Sequence, residues 1–81
     1  MTSEEIRENA DPEAIVWDDF DAAMIGTDTV GRIVYDINKM IDILIVRDEM
    51  ELSDAIEYLE FNVLCAYVGE FTPIHVYTEI I

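Results

Sequence analysis

Apolar residues recur with two different periods along this 81-residue chain, and the change of period marks out its elements. Ile37, Met40, Ile41, Leu44 and Ile45 fall at i, i+3, i+4, i+7 and i+8, the stripe of an amphipathic helix. Asp36 is placed as its N-cap, and Arg47 suits the negative end of its dipole. A second stripe, Leu52, Ala55, Ile56, Leu59, Val63, Ala66 and Tyr67, predicts another helix that closes at Gly69, in the C′ position. Asp54, Glu57 and Glu60 lie three apart and form its wet face. Beyond Phe61 this helix is apolar nearly all round, through Leu64, Cys65 and Val68, which predicts burial on several sides.

The strands carry shorter signals. Residues 23–27 and 32–35 are apolar runs on either side of Asp28-Thr29-Val30-Gly31, which predicts a hairpin with Gly31 at positive φ. Pro73 forces Thr72 to be extended, and residues 74–80 alternate as a strand does. The order is therefore β-β-α-α-β, a small α+β fold with two helices on one face of a three-stranded sheet. The last strand can pair antiparallel with the second or reach across to the first. Residues 14–81 form the single domain. Residues 1–13 are set apart as an acidic N-terminal segment of which the first ten are the least ordered. That segment contains a capping box, Thr2 with Glu5, around one short turn, and then Asp11-Pro12-Glu13, which reads as the start of another short helix.

Charge narrows the function. Nineteen Asp and Glu against four Lys and Arg give a formal net charge of -15. Nucleic-acid affinity rests on basic groups that displace counterions, so direct binding to DNA or RNA is excluded, and anionic lipid surfaces are disfavoured for the same reason. Three readings of the acidity remain: solubility, adaptation to high salt (against which the isoleucine-rich, alanine-poor composition speaks), and an acidic surface that engages a basic groove on another protein. No run of eighteen apolar residues predicts a membrane span. The acidic start differs from a secretory signal, and the single cysteine suits a reducing compartment, so the expected location is the cytoplasm. One cysteine cannot form an internal disulfide, and one histidine leaves no Cys/His metal spacing. With 52% hydrophobic residues on so small a domain, some apolar surface is expected to face a partner or a second copy.

Candidate chemistry is sparse, and neither a cofactor nor catalysis is expected. Asp18, Asp19 and Asp21 lack the glycine and downstream glutamate of a calcium loop, so a solvated acidic turn is preferred to a cation site. Cys65 and His75 could be written as nucleophile and base, but Cys65 falls in the most apolar part of its helix and reads as a packed small hydrophobe. Asn62 sits among apolar neighbours and, if buried, needs hydrogen-bond partners joining its helix to a loop. Gly26 and Gly31 lack the Lys-Ser/Thr pair of a phosphate loop. His75, Tyr77 and Ile81 share one side of the last strand and are assigned to an oligomer interface. Asp18, Asp19, Asp21, Asp54, Glu57 and Glu60 are assigned to partner binding.

Several short stretches resemble a group of small acidic proteins encoded by bacteriophages and prophages. These are Ile25-Gly26-Thr27-Asp28, Gly31-Arg32, Val34-Tyr35-Asp36, Met40-Ile41-Asp42-Ile43-Leu44, Asp54-Ala55-Ile56-Glu57-Tyr58, Glu60-Phe61-Asn62-Val63, Ala66-Tyr67-Val68-Gly69-Glu70 and Thr72-Pro73-Ile74. The likeness spans residues 20–76 and departs before the second helix, where a threonine followed by several acids is usual and Glu51-Leu52-Ser53 stands here. It implies an accessory protein of a virus or mobile element and carries over no functional residue. The expected function is binding to another protein, as an inhibitor of a host or defence enzyme. The alternative is a small-ligand (nucleotide-like) binding module or subunit using Arg32, His75 and Tyr77.

Overall fold

The computed structural model describes residues 2–78. Its elements run α1 (Ser3–Asn9), a 3-10 turn (Asp21–Ala23), β1 (Met24–Thr27), β2 (Ile33–Asp36), α2 (Ile37–Arg47), α3 (Leu52–Leu59), a π-helical turn (Glu60–Leu64) and β3 (Ile74–Val76). The α+β class, the β-β-α-α-β order and a short helical segment in front of it are as predicted.

That helix packs on the rest of the fold. Both halves of the Thr2–Glu5 capping box form: the Thr2 hydroxyl accepts from the Glu5 amide, and the Glu5 carboxylate accepts from the Thr2 amide. α1 packs against β1 and puts Ile6, 1% exposed, into the main core. A single isoleucine in a polar stretch has no periodicity to announce it, which is why sequence set residues 1–13 apart. Asp11-Pro12-Glu13 makes a turn, not a helix: Asp11 Oδ1 accepts from the Glu13 amide at 2.8 Å and its carbonyl from Ala14 at 2.9 Å.

The hairpin follows prediction closely. β1 and β2 pair antiparallel, Gly26 opposite Val34 and Thr27 opposite Ile33, with a bulge between Met24 and Gly26. Asp28 organises the turn, its carboxylate accepting from the amides of Val30 and Arg32 and from Arg32 Nε. Gly31 has φ of +94°, and a β-carbon there would lie 2.8 Å from the backbone nitrogen of Asp11. That nitrogen donates to the Gly31 carbonyl, so the N-terminal segment is docked on the hairpin turn.

β3 pairs parallel with β2, Tyr35 opposite His75, and the sheet order is β1-β2-β3. The neighbour is the second strand, as one of the two options had it, but the pairing is parallel and not antiparallel. A helix running on to Gly69, as the spacing predicts, would return the chain to the end where β2 finishes. Instead it stops at Leu64, and residues 65–73 run on beside Val30 and Arg32, where β2 begins. Parallel pairing needs such a long crossover.

Asp36 caps α2 as predicted, and α2 buries Ile37, Met40 and Leu44. α3 buries only Ala55 and Leu59, and the row continues to Val63 in the π-helical turn. Leu52 and Ile56, expected inside, are exposed. A helix lying on α2 can bury one row spaced by four, and the row containing small Ala55 allows the closer approach. The second half of the predicted helix is not buried on several sides either, since Phe61, Tyr67 and Val68 all reach solvent.

Candidate functional site

Two surfaces carry the candidate residues. The first lies where the N-terminal loop crosses the start of β3. Tyr35, fully buried on β2, accepts the Trp17 backbone N–H at its hydroxyl at 2.8 Å, which fixes the loop over the sheet. Trp17 then donates its indole N–H to His75 Nε2 at 2.8 Å. The two rings lie within 15° of parallel with centroids 6.1 Å apart, the geometry of rings joined edge to edge through an in-plane hydrogen bond. Since indole can only donate, His75 Nε2 must carry no proton, and the neutral tautomer has its hydrogen on Nδ1. Burial pushes the His75 pKa down and the Tyr35 pKa up, so both rings are neutral at neutral pH.

His75 and Arg32 line one open cleft of about 740 Å³, together with Tyr67, Glu70, Phe71 and Ile74. Tyr77, grouped with them by sequence, is not part of that lining and stands exposed. The sequence also groups His75, Tyr77 and Ile81 as one side of the last strand. His75 is half-buried and engaged by Trp17, while Ile81 lies outside the described residues. Sequence reasoning did not single out Trp17. The signal was there: a lone tryptophan whose N–H needs an acceptor, and a lone histidine able to supply one.

The second surface is the outer side of α3. Asp54, Glu57 and Glu60 are all exposed, as the three-residue spacing predicted. Asp54 and Glu57 border a shallow cleft of about 380 Å³ with Met50, Tyr58, Phe61 and Asn62. Asp18 and Asp19 are exposed at the other acidic group, and Asp21 pairs with Arg7 at 2.6 Å. Arg47 is held beside this group: it bonds both oxygens of Asp48, donates to the Asp19 carbonyl at 2.7 Å and lies over the Phe20 ring. Its pKa is raised, first by the Asp48 hydrogen bond, with Asp19 and Tyr58 adding to the effect.

Asn62 is exposed and bonds only within its helix, donating to the Tyr58 carbonyl at 3.0 Å, so it joins no loop. Cys65 is exposed, not packed, because the chain has left the helix axis by the time it is reached. Among the described residues no three His, Cys, Asp or Glu side chains come together to hold a cation, and no helix is long and apolar enough to cross a membrane. No known protein family, curated protein or solved structure matches the chain.

Proposed function

We propose that this chain is a phage-type accessory protein that acts by binding another protein, as an inhibitor of a host or defence enzyme, through its acidic surface. The observation that carries this reading is the charge and its placement. The chain carries a net -15, and Asp54, Glu57 and Glu60 project from one helix face while Asp18 and Asp19 project from the approach to the sheet. A field of that sign steers a basic partner at long range and repels nucleic acid. The reading involves no catalytic step and places the chain in the host cytoplasm. Self-association along β3, at one edge of the sheet and flanked by exposed Tyr77, belongs to the same proposal.

The test is capture of a partner by the tagged chain from infected-cell lysate. Association rates are then measured at low and moderate salt for wild type, for Asp54→Asn/Glu57→Gln/Glu60→Gln and for Asp18→Asn/Asp19→Asn/Asp21→Asn. The reading expects slower association and a flatter salt dependence in at least one triple variant. Unchanged rates in both would leave the acidity as a solubility device. A second reading, a small-ligand module, is favoured by Arg32 and His75 meeting in the 740 Å³ cleft. It predicts thermal stabilisation by a small ligand with little salt dependence.

A further inference from the structure

The acidic side of α3 also exposes apolar surface, and the two are interleaved. Asp54, Glu57, Tyr58 and Phe61 fall at i, i+3, i+4 and i+7, so they share one helix face. Met50 closes the shallow cleft between them. Phe61 is 74% exposed, although it is the kind of residue that is usually covered. It lies two residues past buried Leu59, about 200° round an α-helix, and so points away from the row Ala55, Leu59 and Val63 that faces inward. No lysine or arginine lines the cleft, and Arg47 is already held by Asp48 and Asp19.

We infer that this face is a docking site for a partner protein that presents an apolar side chain ringed by lysine or arginine, the apolar group seating between Met50, Tyr58 and Phe61. Charge decides between occupants. A second copy docked face to face would set Asp54, Glu57 and Glu60 against the same carboxylates, and like charges opposed across an interface are costly. A basic partner meets those carboxylates favourably while covering the aromatic rings, and centrally placed aromatic side chains are where binding energy concentrates. The inference rests on the protein-binding reading above and adds where the partner sits and what it must carry.

The probe is a synthetic helical peptide with a leucine face flanked by lysines, titrated into the labelled full chain and followed by amide chemical shifts. A control peptide replaces each leucine with serine. The expected result is shifts centred on Met50, Tyr58, Phe61 and Asn62. Affinity should weaken by about tenfold or more for Phe61→Ser, and for the serine peptide against wild type. Because Phe61 is exposed, its variant should keep the wild-type spectrum elsewhere, and Tyr58→Ser is the second variant if it does not. If Phe61→Ser binds normally and the shifts map to Asp18, Asp19 and Asp21, the docking face is wrong while the acidic-surface reading stands. If Phe61→Ser abolishes binding but Asp54→Asn/Glu57→Gln/Glu60→Gln leaves affinity and salt dependence unchanged, the face stands and its electrostatic basis fails. Self-association in sedimentation that is lost on Phe61→Ser would identify a second copy as the occupant and overturn the inference.

Discussion

Trp17 donates its indole N–H to Nε2 of His75 at 2.8 Å, and this bond ties the N-terminal loop to the last strand. The same loop is held from beneath by the Tyr35 hydroxyl and alongside by Ile15, whose amide donates to the Phe71 carbonyl at 3.2 Å. The chain has no other tryptophan and no other histidine, so one indole and one imidazole report on a single contact.

Acid should loosen that contact. In the folded chain burial lowers the His75 pKa below its ordinary value of 6.5, and in the unfolded chain the ordinary value returns. As pH falls through the ordinary value the unfolded state takes up a proton that the folded state resists, so stability falls with pH until the lowered native value is passed. Above the ordinary value His75 contributes no pH dependence. Tyr35 lies beside the ring, and Arg32 and Glu70 share its cleft. His75→Gln offers Trp17 an amide oxygen and does not titrate. Denaturation midpoints of wild type and variant between about pH 7 and 5 should converge toward the acid end. A constant difference between them would mean that His75 protonation does not act on this bond.

Gly31 is required twice over, by its backbone conformation and by its neighbour. Any side chain at φ of +94° is strained by about 1–3 kcal/mol, and the new β-carbon would also meet the Asp11 backbone. Backbone cannot step aside as a flexible side chain can. Gly31→Ala should therefore lower stability by more than the conformational term alone, and denaturant titration would show it. Gly26→Ala, with nothing within 4 Å of its β-carbon and an ordinary φ, is the control and should change stability little.

What the sequence made legible, and what it did not, divides along physical lines. Asp28-Thr29-Val30-Gly31 and the stripe from Ile37 to Ile45 were readable because turn chemistry and helical period are local. Asp36 was readable as a cap but not as a junction. Buried at 3% exposure, it accepts the Asn38 amide at one oxygen and the Thr78 hydroxyl at the other, forty-two residues away. The parallel pairing of β3 was hidden for a related reason: it depends on where the π-helical turn releases the chain, and 52–68 has one unbroken apolar pattern. At the candidate site, Asp54, Glu57 and Glu60 were visible from spacing. The exposure of Phe61 was not, because an all-apolar stretch reads as buried until its neighbours are known. The Trp17–His75 bond joins residues 58 apart and has no local signature.

Cys65 gives a direct check on the segment after α3. The thiol lies on the surface beyond the π-helical turn. Its reaction with a thiol reagent in the native chain should run within a few-fold of the rate in denaturant. A native rate suppressed by orders of magnitude would return Cys65 to the interior and extend the helix past Leu64.

The N-terminal helix supplies the sharpest test of the domain boundary. α1 has only seven residues, too few to be stable alone in water, so it persists by what it buries. Ile6 is its one buried side chain, and it meets the core formed by the sheet and α2. Truncating a buried isoleucine to alanine costs about 2–5 kcal/mol, depending on how far the site collapses. Ile6→Ala is expected in the lower half of that range, because a short terminal helix can shift to close the gap. Glu4→Ala and Glu8→Ala, on exposed positions of the same helix, should be close to neutral. Thr2→Ala, which removes the capping box, should cost about 1 kcal/mol only if α1 is docked, because the folding transition cannot sense the cap of an undocked helix. The measurement is the denaturant midpoint of each variant, with amide exchange at Ile6 and Ala10 as a second reading. Wild-type midpoints for both Ile6→Ala and Thr2→Ala would detach residues 1–13 from the fold and restore the boundary that composition alone suggested.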